Sequence, residues 1–229
     1  MPGVSESTAE SRMNTKEFQL LLEEGEGFQL EFKRKVTSPE RIARALIGFA
    51  NTKGGTILFG VDDDKSIVGV ESEKSEVNMI QTAGRVHCDP AIEPEIDIIT
   101  HHGKDIIVVT VEESTEKPHS LVTDEDGSDD PDSKVLIRVN DKTVVASKEV
   151  VKILRSESPD APPLRISIGD TERSVLDYLN SNEKITVREF GKLVNISDRR
   201  ASRTLIQLVR AGVLRIHTHE KEDFYTLAY

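Results

Sequence analysis

The sequence predicts an α+β fold: a mixed, mainly antiparallel sheet with helices, ending in three further helices and a hairpin. Three observations predict it. Apolar residues recur at helical spacing in some segments and gather in short runs in others. Several of the short runs come in pairs around polar turns, as antiparallel strands do. Charge is also unevenly spread. The chain of 229 residues carries 30 Lys+Arg against 41 Asp+Glu, a net of −11. From Arg165 onward there are 11 basic and 9 acidic residues, which leaves 19 basic and 32 acidic before it. The chain thus divides into an acidic N-terminal part and a mildly basic C-terminal one.

Composition narrows the function classes. Aromatics are 4% of the chain and Trp is absent, which argues against an aromatic platform for stacking bases. Cys88 is the one cysteine, so no internal disulfide and no cysteine-held zinc is expected. Cys88 reads as a small half-buried apolar residue rather than a nucleophile. No apolar run reaches the roughly 20 residues that span a bilayer. Residues 1–14 lack the pattern of a secretory signal and read as a disordered tail. These features point to a cytoplasmic protein with no membrane contact.

Along residues 15–157 the elements follow in order. Phe18, Leu21 and Leu22 mark a helix from Thr15 to Glu24, which Gly25 stops. GFQLEFK reads as a strand. Ser38 caps a second helix with Pro39 at its first position, and Ile42, Leu46 and Phe49 form its buried face. TILFGV and IVGV, around DDDKS, predict a hairpin. A helix over Ser75 to Val86 follows. IDIIT and DIIVVTV, around HHGK, predict a second hairpin, with His101 and His102 as turn residues and no zinc partners. KVLIRV is a strand, and Ser147 caps a short helix through Leu154. An acidic loop covers residues 122–133, where six acids fall within residues 124–132. The Pro-rich stretch 158–164 is the linker.

Residues 165–229 read as a winged helix-turn-helix. Val175, Leu176 and Leu179 stripe a first helix that opens at Thr171. Thr186 and Glu189 form a capping box for a second helix, buried by Phe190, Leu193 and Val194. Ser197 caps a third, ending at Gly212, with Ala201, Leu205, Leu208 and Val209 inward. LRIHTH and DFYTLAY then pair around EKE. Arg199, Arg200, Arg203, Gln207 and Arg210 fall mostly outside the apolar stripe of the third helix. Arg and Gln can read guanine and adenine from the major groove, and residues further along such a helix meet phosphate. Arg199, Arg200 and Arg203 are candidates for base or phosphate contact, Arg210 for phosphate, and Lys221 in the wing for the backbone. Double-stranded DNA is the expected partner, with RNA as a second possibility.

Further motifs carry a family resemblance. Glu26, Glu31, Phe32 and Lys33 match an E-x4-E-F-K stretch. Phe49, Ala50, Asn51, Gly54 and Gly55 match A-F-A-N-x-x-G-G, with Gly48 in place of the usual Ala. Gly60, Val61, Asp62, Asp63 and Gly69 match the strand that follows. Over roughly residues 15–155 the chain resembles the Schlafen AlbA-like domain, a family linked to DNA binding. In prokaryotic regulators the resemblance implies a nucleic-acid-binding or signal-sensing unit. In vertebrate Schlafen proteins it implies an RNA endonuclease using two glutamates and an aspartate. Carried over, those positions are Glu26, Glu31 and Asp63, which would hold Mg²⁺ or Mn²⁺, with Lys33 on a phosphate. The acidity of residues 1–164 argues against a large nucleic-acid groove on that part. NTKGGT lacks the Lys-Ser/Thr of an ATP-binding loop. The expectation is a homodimeric DNA-binding transcriptional regulator that requires no cofactor. The alternative is a metal-dependent nuclease on RNA or single-stranded DNA.

Overall fold

The computed structural model describes residues 13–123, 134–158, 161, 163–219 and 222–228. The acidic stretch 124–132, the wing residue Lys221 and the first twelve residues of the predicted tail lie outside them. No described helix is long and apolar enough to cross a membrane.

The tail ends sooner than the sequence predicts. Asn14 caps helix α1 (Thr15–Glu24) through a reciprocal capping box with Glu17. Met13 packs against the cluster around Phe18. Both residues therefore belong to the folded part.

A four-stranded sheet forms the centre of the N-terminal part. Its strands are β1 (Leu30–Lys33), β2 (Gly55–Phe59), β4 (Glu95–His101) and β5 (Lys104–Val111), in the order β1-β2-β5-β4. β1 runs parallel to β2, while β2–β5 and β4–β5 are antiparallel. Both faces of the sheet are covered, and the side chains divide with the two-residue period of a strand. Ile57, Phe59, Ile107 and Val109 pack with α2 (Pro39–Ala50) and α3 (Glu73–Val86). Leu58, Leu30, Phe32, Ile106 and Val108 pack with Phe18 of α1.

The second predicted hairpin is β4–β5, turning through His102 and Gly103 at positive φ. The first is not a hairpin of two strands. IVGV contributes one isolated bridge, Val61 to Ile67, and β2 takes its neighbours from β1 and β5. Gly60 and Gly69, both at positive φ, fold that segment back on itself with backbone bonds from Val68 N and Gly69 N to the Gly60 carbonyl.

Helix α2 is the hub. Ser38 caps it, Pro39 opens it, and eight of its residues are buried. Asn51, 1% exposed, follows it. Its Nδ2 donates to the carbonyls of His119 and Leu136, each at 2.8 Å, and its Oδ1 accepts from His119 N at 2.8 Å. The motif asparagine is thus a clamp between the helix end and the strands β6 (Ser120–Leu121) and β7 (Leu136–Val139). Gly54 follows at φ +66, where a Cβ would lie 2.6 Å from the Val111 carbonyl oxygen. β3 (Cys88–Asp89) pairs with β6, and β7 with β8 (Lys142–Val145). Ser147 caps α4 (Lys148–Glu157).

The C-terminal part holds α5 (Asp170–Ser181), α6 (Val187–Leu193) and α7 (Asp198–Arg210), then the antiparallel hairpin β9 (Leu214–His217) and β10 (Phe224–Leu227). The Thr186–Glu189 capping box and the Ser197 cap are present. Val175, Leu179, Ile185, Phe190, Ala201, Leu205, Leu208, Leu214 and Tyr225 make its core. Leu193 does not join that core as the sequence predicts; it is 45% exposed at the end of α6.

The two parts touch. Ile216 of the hairpin packs with Val135, Ile137 and the α4 face of Val150, Val151 and Leu154. Ser202 Oγ of α7 donates to Glu149 Oε1 of α4 at 2.8 Å, and Lys152 Nζ donates to Ser202 Oγ at 3.4 Å. Ser147 donates to the Asp223 carboxylate.

Candidate functional site

Two cationic surfaces stand out, one in each part. On α7, Asp198 and the Ser197 cap satisfy the helix N-terminus. Ala201, Leu205 and Leu208 face the core. Ser202, Thr204 and Ile206 are also buried, and Ser202 meets α4. The helix therefore buries more than the single face its main apolar stripe predicts. What remains open is a strip of Arg199, Arg200 and Arg203, all exposed. Gln207 is half-buried. Arg210 is half-buried at the junction with α4, beside Ile153, Ser156 and Glu157, rather than on the open strip. The signal for the second buried face was present in the sequence: Ile206 breaks the polar side of an otherwise regular stripe.

The second surface is a cleft between β1 and α2, about 490 Å³ in volume, lined by Lys33, Arg34, Lys35, Arg41, Arg44 and two acids, Glu31 and Asp63. Arg34 pairs with Asp62 at 2.8 Å, and Lys33 with Glu31. Lys35, Arg41 and Arg44 are exposed and have no carboxylate partner among the described residues. The net acidity of the N-terminal part does not carry over to this cleft. The run Lys33–Lys35 and the exposed pair Arg41 and Arg44, one turn apart on α2, concentrate positive charge locally. Sequence reasoning singled out Lys33 and missed the other four, because β1 and α2 meet only in the fold.

The three predicted metal-binding carboxylates are differently placed. Glu31 Oε2 accepts from Arg138 Nη1 at 2.5 Å, and its other oxygen pairs with Lys33. Arg138 is 3% exposed. Its Nη2 donates to the Gly27 carbonyl at 2.8 Å, its Nη1 also reaches Thr143 Oγ1 at 3.2 Å, and its guanidinium lies 4.7 Å over the Phe49 ring. Glu31 is the counter-charge of a buried arginine. Glu26 is exposed, and its Oε1 accepts from Phe32 N at 2.8 Å. β1 is an edge strand, so this carboxylate satisfies a backbone donor at the sheet edge. Asp63 shares the cleft with Glu31, while Glu26 does not line it. Among the described residues no three His, Cys, Asp or Glu side chains are grouped to hold a metal ion. As placed, Glu26, Glu31 and Asp63 do not fit Mg²⁺ or Mn²⁺: Arg138 and Lys33 take both oxygens of Glu31, the Phe32 N–H takes one of Glu26, and Glu26 lies outside the cleft that Glu31 and Asp63 share.

Two further titratable groups are structural. Burial pushes the Cys88 thiol up to about 12, so it stays protonated and unreactive. Burial also lowers His119 below the ordinary histidine value, partly offset by its bond to Pro90. Its Nδ1 faces the Pro90 carbonyl at 2.7 Å and so carries the proton, leaving Nε2 to accept from Ser114 Oγ at 2.6 Å.

Residues 26–147, more than half of the chain, match the model of the family described as Schlafen, AlbA_2, and the chain belongs to that family. No curated protein matches it. Among solved structures, the DIP2311 protein of Corynebacterium diphtheriae is similar at 17% identity and a TM-score of 0.46, over 78% of this chain and 36% of that one. This chain therefore spans about a third of that protein's length. The N-terminal domain of a RecG-related protein of Nitrosomonas europaea is similar at 21% identity and a TM-score of 0.35, over 52% of this chain and 84% of that one.

Proposed function

We propose that the chain binds nucleic acid, and duplex DNA in particular, as a cytoplasmic transcriptional regulator whose C-terminal part is a winged helix-turn-helix. The observation that carries the reading is the open strip of Arg199, Arg200 and Arg203 on a capped helix held by its neighbours on its other faces. A helix fixed in this way presents guanidinium groups to a major groove at little further cost in order. Lys35, Arg41 and Arg44 of the N-terminal cleft add phosphate contacts. A homodimer brings two such helices to one duplex and matches the two-fold symmetry of a palindromic site.

The test is fluorescence anisotropy on duplex DNA selected from a random pool, across a salt series. Replacing Arg199, Arg200 and Arg203 with Ala should abolish specific binding and lower the salt slope by roughly one for each phosphate no longer neutralised. All three residues are exposed, so the thermal midpoint should not move. Unchanged DNA binding by the triple variant refutes the reading. Stronger binding to single-stranded RNA than to any duplex replaces DNA by RNA as the partner.

A further inference from the structure

The contact between the two parts leaves an open cavity of about 650 Å³ that belongs to neither cationic surface described above. That volume falls within the range of roughly 300–1,000 Å³ usual for small-molecule sites, which favour such junctions. Phe28, Ile137 and Leu154 wall it from the N-terminal part, and Val209, Leu214 and Ile216 from the C-terminal one. Phe28 is 39% exposed, an aromatic ring at the cavity with an open face.

The polar lining is biased toward cations. Lys53, Lys117, Arg138 and Arg215 face two acids, Glu113 and Glu157. Lys117, its side chain 6% exposed, is held by Glu113 at 2.6 Å and Glu157 at 3.1 Å, and Lys53 shares Glu113 at 3.0 Å. Two donors remain. Arg138 Nε is buried without a hydrogen-bond partner among the described residues. Arg215 is exposed, bonds the Ala228 carbonyl at 3.4 Å, and has no carboxylate partner among the described residues. A buried donor left unmet is costly; Glu31 balances the charge of Arg138, so Arg215 is the surplus cation, and an apolar cleft with one such cation is complementary to a molecule of mixed character.

We propose that this cavity binds a small amphipathic anion: a carboxylate or sulfonate on an aromatic or short aliphatic body. The acid group meets Arg215 and the neighbouring cations, and the body lies against Phe28, Leu154, Val209 and Ile216. Because the walls come from both parts, the ligand fastens one to the other, and Val209 places it against α7 itself. The site stands on geometry and charge alone and does not depend on nucleic-acid binding.

The experiment titrates the intact chain with 8-anilinonaphthalene-1-sulfonate and, in parallel, with N-phenyl-1-naphthylamine, the same body without the sulfonate. The anionic probe should bind saturably at one per chain and more tightly than the neutral one. Arg215→Ala should weaken the anionic probe about tenfold, as loss of a charge-assisted hydrogen bond does, and leave the neutral probe unchanged. Phe28→Ala should weaken both. Both side chains are exposed, and thermal melts of the variants should match the parent. The proposal is overturned if the folded chain shows no saturable site for the anionic probe, or if both variants bind it as the parent does.

Discussion

Replacing Glu31 with Ala should lower the unfolding free energy by about 3–5 kcal/mol, the cost of leaving one partner of a buried ion pair uncompensated. The magnitude follows from the surroundings of Arg138. Its side chain is 2% exposed and that of Glu31 12%. The other hydrogen-bond partners of the guanidinium, the Gly27 carbonyl and the Thr143 hydroxyl, are neutral. Removing Glu31 therefore leaves a buried positive charge with no opposite charge at hand. Lys33, with its side chain 32% exposed, can turn to solvent and loses little. Adding Arg138→Met to Glu31→Ala removes the stranded charge and should restore part of the loss. Urea denaturation followed by circular dichroism gives the four corners of the cycle, with a constant m-value as the check on two-state behaviour. A loss below about 1 kcal/mol in Glu31→Ala, the worth of a surface ion pair, would refute the reasoning. The result also bears on activity assays: a variant at this position that abolishes a reaction could do so by unfolding the domain.

Three other outcomes are expected. Asn51→Ala leaves the His119 and Leu136 carbonyls and the His119 N–H without their partner, and should destabilise the chain by about 2–4 kcal/mol in the same urea assay. His119 is held below its ordinary value of 6.5, so the unfolded chain takes up that proton first. Stability should be full above that value and fall as pH drops below it, by at most about 1.4 kcal/mol per pH unit. His119→Gln should flatten that dependence in urea midpoints measured across the window, and an unchanged slope would assign the titration to another group. Arg41→Ala with Arg44→Ala should leave the melting midpoint in place, since both side chains are exposed, while weakening retention on a heparin column; unchanged retention would remove the cleft as a polyanion surface.

What the sequence revealed was mostly what lies within one turn of chain. The caps at Ser38, Ser147, Thr186 and Ser197 were legible because a cap and the N–H it satisfies are separated by about three residues. The β4–β5 hairpin was legible because its turn is short. The parallel pairing of β1 with β2 was not, since nothing in GFQLEFK names a partner that lies beyond a helix. IVGV was misread because its apolar residues satisfy a strand pattern, while Gly60 and Gly69 bend the segment away from a ladder. The site shows the same limit. Arg199, Arg200 and Arg203 could be placed from helical periodicity alone. The role of Glu31 could not, because Arg138 lies 107 residues away in sequence. Family motifs marked Glu31 and Asn51 without distinguishing chemistry from clamping. The basic cleft stayed hidden because a summed charge averages over surfaces that the fold keeps apart.

The docking of α4 on α7 changes what the Pro-rich segment has to do. Glu149, Lys152 and Ser202 join the two parts through side chains, so the contact does not depend on the length of chain between α4 and α5. Doubling the length of a flexible connection costs only about 0.6 kcal/mol in closure entropy. Inserting glycines and serines between α4 and α5 should therefore leave the contact in place, whereas Glu149→Arg should weaken it with the connection unchanged. Within such a chain the spacing between the parts is free to drift in sequence, while their mutual orientation is stored in side chains at positions 147, 149, 152, 202, 216 and 223.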